Sequence, residues 1–212
     1  AGARNRFTSS IIPYEYVDDY VTTRSQIVSG APENFTTYRI FINLSGNAQN
    51  VYAMYGDSLI EQPLVIPAAR HSVSHFGGSK IGSVDPGLFL LDNDLQFDSW
   101  VTLEDEGAEE VPLQSELIHT PEGINLESWD INNGLSIDNG AIFWMDPTKG
   151  PQGGPDREGN IIIAQLTISN TISDRTFSGY LQGKSLDGSD WRQYIEVPLQ
   201  LPQVTELPTT TP

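Results

Sequence analysis

The stretch Tyr38-Arg39-Ile40-Phe41-Ile42-Asn43-Leu44-Ser45 alternates with a period of two. Tyr38, Ile40, Ile42 and Leu44 fall on one face of an extended chain, with Arg39, Asn43 and Ser45 opposite. Ile161 to Ile168 is nearly all apolar. A short continuous apolar run reads as a strand covered on both faces. Outward from these, Leu95, Phe97, Val101 and Leu103 alternate with Gln96, Asp98 and Thr102, which predicts a further strand. Phe177, Gly179 and Leu181 continue the pattern, followed by Trp191 to Val197. Asp187-Gly188 between the last two predicts a hairpin turn. No segment carries a sustained i, i+3, i+4, i+7 apolar stripe. The 19 glycines and 14 prolines, with many Asn, Asp and Ser residues, punctuate short apolar stretches. The chain therefore reads as all-β and antiparallel.

Its 212 residues are enough to bury a core. The formal charge is −17, from 28 acidic and 11 basic side chains. That balance argues against binding a nucleic-acid phosphate backbone or an anionic membrane face. Acidity with so few lysines (Lys80, Lys149, Lys184) fits a high-salt protein, or more simply an acidic surface that keeps a concentrated protein soluble. There is no cysteine, so disulfides, thiolate metal sites and cysteine nucleophiles are excluded together. No apolar run approaches the roughly 20 residues of a membrane helix, and no membrane insertion is expected. Ala1–Ser10 is polar with two arginines, which reads as a mature or trimmed start.

The ends differ from the middle. Residues 1–30 carry Pro13 and the aromatics Phe7, Tyr14, Tyr16 and Tyr20. The last residues carry Pro198, Pro202, Pro208 and Pro212, with Leu199, Leu201, Val204 and Leu207 among them. Proline has no amide donor, so neither end makes a long ladder. Both read as extended arms whose apolar residues need a surface, either this chain's own core or a neighbour's. The stretch Glu104, Asp105, Glu106, Glu109, Glu110 is expected to be a solvated loop.

Two segments read alike. Ile40–Gly46, Val51–Ser58, Phe97–Trp100 and Glu110-Val111-Pro112-Leu113-Gln114 match, in order, Ile162–Ser169, Phe177–Ser185, Ser189–Trp191 and Glu196-Val197-Pro198-Leu199-Gln200. The first copy is much the longer between its glycine (Gly56) and its tryptophan (Trp100). A duplicated antiparallel β-sheet unit is the natural account, giving two pseudo-symmetric, sandwich-like halves. The expected organisation is an N-terminal arm (1–30), a first repeat with a long insertion (31–120), a second repeat (121–200) and a Pro/Thr-rich tail (201–212).

Candidate chemistry is sparse. On a strand, His71 and His75 would stand about 13 Å apart, too far for one ion. His119 is the third and last histidine. No Gly-x-Ser-x-Gly elbow occurs. Asp98, Glu127, Asp130 and Asp190 lie near Trp100, Trp129 or Trp191, a composition found at sugar sites. No Glu-x-Asp-x-x-Glu strand pattern accompanies them, and core packing explains Trp100 and Trp191 better. Asp92-Asn93-Asp94 and Asp156–Asn160 are oxygen-rich but lack EF-hand spacing, so turn chemistry is the simpler reading. Of the sequons Asn34-Phe35-Thr36 and Asn43-Leu44-Ser45, the second lies inside the best strand. No catalytic, cofactor-binding or metal-ligating residue is assigned.

The strings Thr37–Gly46 with Asn50–Gly56, Phe97–Trp100, Asn139–Pro147, Ile163–Thr167, and Gly183–Ser185 through Trp191 resemble a family of marine algal proteins. That family, mainly from diatoms and haptophytes, includes the diatom pyrenoid shell proteins. The similarity spans about residues 35 to 200, most of the chain. It implies a non-enzymatic subunit without cofactor that assembles with itself into a sheet around the Rubisco-rich pyrenoid matrix of the chloroplast. Such a sheet limits CO2 leakage and supports carbon fixation. It also implies a plastid-targeting segment removed on import, with Rubisco or the matrix as a further partner. The arm residues Phe7, Tyr14, Tyr16, Tyr20, Leu199, Leu201, Val204 and Leu207 are then candidate assembly contacts. The alternative is a secreted or cell-wall β-sandwich glycan-binding module, calcium-assisted, with its tryptophans as exposed platforms. A hydrolase using Asp98 or Glu127 is a third reading.

Overall fold

The computed structural model describes residues 20–72, 80–106, 117–120, 124–153 and 160–202. Its strands are β1 (Val21–Val28), β2 (Phe35–Leu44), β3 (Ala53–Asp57), β4 (Leu64–Ile66), β5 (Trp100–Asp105), β6 (Leu117–His119), β7 (Leu135–Ile137), β8 (Asn139–Trp144), β9 (Asn160–Ser169), β10 (Thr176–Lys184) and β11 (Asp190–Pro198). Short 3-10 turns occur at Pro86–Leu90, Asn93–Phe97, Leu126–Ser128 and Pro147–Lys149, and the described residues hold no α-helix. The all-β class read from the sequence is the class the chain adopts. Among the described residues no helix is long and apolar enough to cross a membrane.

Two antiparallel sheets face each other. One has four strands in the order β1-β2-β9-β5. The other has seven, in the order β6-β8-β3-β10-β4-β7, with β11 on β10. Tyr55 pairs with Tyr180 and Val65 with Ser178, so β3 and β4 follow one another along the same strand, β10. The chain between them loops out. β11 is joined to β10 by the expected hairpin, where Gly188 takes a φ of 84°. Only glycine adopts that backbone readily.

β9 shows why an unbroken apolar run was needed. Ile40 pairs with Ala164 and Phe41 with Ile162, so Ile163 is an extra residue in the ladder. The bulge turns both Ile163 and Ala164 into the core between the sheets, beside Ile161, Leu166 and Ile168. Ile162 points the other way. It joins Phe41, Val84, Leu95 and Trp100 in a second cluster on the outer side of the four-stranded sheet. The segment from Lys80 to Asp98 folds over that side and is tied to it. Thr167 Oγ1 donates to the Phe97 carbonyl at 2.7 Å, and Gln165 Nε2 donates to the carbonyls of Gln96 (3.0 Å) and Asp98 (2.8 Å).

Several expectations are corrected. Residues 21–28, read as part of an extended arm without a long ladder, form β1 and pair with β2 over eight residues, because the one proline of that end, Pro13, lies before them. Leu95 and Phe97 are buried but lie in a 3-10 turn, because Asp92 accepts the Asp94 amide at 2.9 Å and caps it. Glu104 is not in a solvated loop. It is buried in β5 and accepts from Ser83 Oγ (2.6 Å), the Ser83 amide (3.1 Å) and Thr102 Oγ1. Glu109 and Glu110 lie outside the described residues. In the repeat, β2 and β9 are antiparallel neighbours, as are β3 and β10. The third members part company: Trp100 is on β5 of the four-stranded sheet and Trp191 on β11 of the seven-stranded one. The topology does not display two duplicated halves, and strands from ranges 31–120 and 121–200 interleave in both sheets. Residues 110–114, which carry the identical pentapeptide, lie outside the described residues.

Candidate functional site

The two outer sides of the sandwich are unlike. The segment 80–98 covers the four-stranded sheet; on the outer side of the seven-stranded one Tyr180 Oη donates to Gln62 Oε1 of the β3–β4 loop at 2.7 Å, and Tyr55, Phe143, Tyr180 and Tyr194 are half-buried. On this open side the strands alternate. Met54, Leu181, Ile142, Trp144, Trp191 and Ile195 point into the core. Their neighbours Tyr55, Tyr180, Phe143, Arg192 and Tyr194 point out. The ladder sets Tyr55 opposite Tyr180 and Tyr180 opposite Tyr194. The first pair stacks with ring centroids 5.5 Å apart, and the second meets edge to face at 5.3 Å. The Arg192 guanidinium lies 5.6 Å above the Tyr180 ring. Beside this row a groove of about 630 Å³ is lined by Tyr52, Tyr55, Phe143, Met145 and Gln182, among others.

The groove is apolar in area and polar at one end. Tyr52 Oη donates to Asp190 Oδ1 at 3.0 Å and accepts from Gln182 Nε2. Lys184 Nζ sits 2.7 Å from the same Asp190 oxygen. The hydrogen bond from Lys184 holds the Asp190 carboxyl below its ordinary value. Burial, then the bond to Asp190, pushes the Tyr52 hydroxyl up, and burial raises Tyr55 against the opposing pull of Arg192. Near neutrality the site thus offers neutral phenols, an amide, half-buried ring edges and the exposed Met145 thioether.

The four tryptophans are buried, Trp144 beneath the groove. Trp100, Trp129, Trp144 and Trp191 are 4%, 0%, 8% and 2% exposed, so none is a platform. Three indole N–H groups reach backbone carbonyls: Trp129 to Pro67 (2.9 Å), Trp144 to Leu103 (3.0 Å) and Trp191 to Lys184 (3.0 Å). The candidate carboxylates do not converge. Asp98 is buried beside the four-stranded sheet and accepts the amides of Ser72 (2.7 Å) and Ser99 (2.9 Å), and burial raises its pKa. Asp190 lies on β11 of the other sheet. Asp130 caps its own turn through the amides of Asn132 and Asn133, and Glu127 lies on the 3-10 turn before it. Asp94 is taken by Arg70, at 2.8 and 2.6 Å. His71 is half-buried, edge-on to Trp129 at 4.5 Å, and donates Nδ1–H to the Ser99 carbonyl at 3.0 Å. His119 donates to the Thr120 carbonyl at 3.2 Å. Among the described residues no group of three or more His, Cys, Asp or Glu is placed to share a metal. His75 and residues 156–159 lie outside the described residues.

Of the arm residues, Tyr20 stacks on Trp191 at 5.3 Å, and its amide donates to Gln193 Oε1 at 2.7 Å. Leu199 is buried, and its amide donates to the Arg175 carbonyl at 3.0 Å. Both are packed on this chain's own core. Leu201 is 38% exposed. Phe7, Tyr14, Tyr16, Val204 and Leu207 lie outside the described residues. The tyrosine row was missed by sequence reading, although Tyr55, Tyr180 and Tyr194 each sit one position out of phase with a core residue. No protein-family model, curated protein or solved structure matches this chain.

Proposed function

We propose that this chain is a non-enzymatic structural subunit that assembles with copies of itself through the open side of its seven-stranded sheet. The carrying observation is the asymmetry of the sandwich: 80–98 packs over one outer side, and among the described residues the other presents an exposed Met145 beside the half-buried Phe143 and tyrosine row. A partly exposed aromatic face marks a contact surface, and tyrosine is enriched at such surfaces. The sequence resemblance supports the setting. It makes the assembly a shell around the Rubisco-containing pyrenoid of a diatom chloroplast, serving CO2 concentration, with the matrix as a neighbour.

Negative-stain electron microscopy with light scattering tests this. The intact chain is expected to give sheets or tubes with a regular repeat. Phe143→Asp is expected to abolish them while leaving β-rich circular dichroism intact. A monodisperse monomer over all salt and protein concentrations would overturn the reading.

One observation favours glycan binding as a second reading. The groove combines ring faces with the Tyr52 hydroxyl and Gln182 amide, which suits a neutral sugar. Saturable binding of neutral oligosaccharides by a chain that stays monomeric would favour it.

A further inference from the structure

We infer that β1 is a second contact between copies, pairing antiparallel with β1 of another molecule about a two-fold axis at Ser25; the inference rests on the self-assembly reading above. β1 is the terminal strand of its sheet, eight residues long, and pairs with β2 in unbroken register. It contains no proline, glycine or lysine, the devices that blunt exposed edges. Among the described residues its outer edge has no strand partner.

The strand is also bare on its inner face. Thr23, Ser25 and Ile27 pair with Ile42, Ile40 and Tyr38, whose side chains enter the core. Yet Thr23 and Ser25 are exposed, and Ile27 is 45% exposed. Only Val21 is covered, next to the Gln193 side chain that bonds its amide at 3.0 Å. The four-stranded sheet therefore overhangs the seven-stranded one along β1.

Charge points to a second copy as occupant. Two molecules of net charge −17 repel, and they meet at least cost where neither brings a net charge. β1 carries no acidic residue, and its one charge, Arg24, lies 3.7 Å from Glu106 of the same chain, so the edge is close to neutral. In a continuous sheet, directly opposed residues share a face. A two-fold axis at Ser25 then sets Arg24 against the other copy's Gln26, and Thr23 against its Ile27. An axis at Arg24 would set arginine against arginine. Edge pairing runs in the plane of the sheet, and the tyrosine face contacts along its normal. Two contacts of different direction extend an array where one would close a dimer.

The chain has no cysteine, so a single Ser25→Cys places the only thiol at the proposed axis. Opposed Cβ atoms in such a pair are within disulfide reach. Under mild oxidation Ser25→Cys is expected to form a covalent dimer at least about tenfold faster than Ser173→Cys in the exposed loop before β10, because docked thiols have a high effective concentration. Ser25→Lys, which sets two cations at the axis, is expected to raise the protein concentration needed for assembly several-fold while circular dichroism stays β-rich. If the wild type assembles but the two thiols cross-link equally and Ser25→Lys assembles normally, the edge contact is wrong and the face contact stands. If the wild type never assembles, both readings fall. Slow hydrogen exchange along the outer edge of β1 in the dilute monomer would show that the chain covers this edge itself, and would also overturn the inference.

Discussion

At the scale of single residues, His71 works against the fold in acid. Burial, helped by the nearby Lys80, lowers its pKa to about 4 from an ordinary 6.5. Its Nε2 is buried with no hydrogen-bond partner among the described residues. The unfolded chain therefore binds this proton more readily than the folded one, and stability falls as pH drops from about 6.5 toward about 4. Between pH 7 and about pH 5 the loss from this group is about 2 kcal/mol. Asp98 works in the opposite sense. Its folded pKa is raised by burial, so its penalty eases as pH falls through the carboxyl range. Urea titrations at the two pH values are expected to show the drop in the wild type and a smaller one in His71→Gln. An equal drop in both would place the acid sensitivity elsewhere. Gly56 and Gly183, matched in the sequence repeat, share one physical reason. A methyl group on Gly56 would overlap the Ile137 carbonyl oxygen, and one on Gly183 the Asn50 carbonyl oxygen.

At the scale of elements, β9 joins the two cores. Ile163 is fully buried between the sheets, and truncation to alanine is expected to cost about 3 to 4 kcal/mol. Ile162 faces the outer cluster, so Ile162→Ala should cost less, about 2 kcal/mol, and should speed amide exchange within 80–98. Denaturant titration gives the order of the two costs, and exchange shows where Ile162→Ala acts. The same element shows what a sequence reveals. Its apolar run was legible as a strand covered on both faces, but the bulge at Ile163 was not, since a bulge depends on the partner strand. Leu95 and Phe97 were misread because a 3-10 turn capped by Asp92 can bury alternate side chains as a strand does. Glu104 was misread because its partner Ser83 comes from a distant stretch. Trp100 and Trp191 were legible as core residues. The open tyrosine face was not, because nothing in the sequence says which side of the sandwich 80–98 will cover.

At the scale of the molecule, charge governs when copies meet. Each subunit carries −17, while the contacts proposed here, the Phe143–Tyr180 face and the β1 edge, hold charges paired within the chain: Arg192 with Asp57, Lys184 with Asp190 and Arg24 with Glu106. Assembly is then opposed by long-range repulsion and driven by short-range burial. Salt screens the first over a Debye length of about 10 Å at 0.1 M and leaves the second intact. Acidification also lowers the charge, but it crosses the range in which His71 protonation weakens the fold, so salt separates the two effects cleanly. The onset concentration for light scattering is expected to fall about tenfold between about 20 mM and 0.3 M sodium chloride. Circular dichroism should stay constant across that range. A threshold that rises with salt would instead mean that ion pairs hold the copies together. The surface pairs Lys184–Asp190 and Arg192–Asp57, at 2.7 and 3.5 Å within one chain, would then be the groups to exchange between neighbours, and the aromatic face would not be the principal contact.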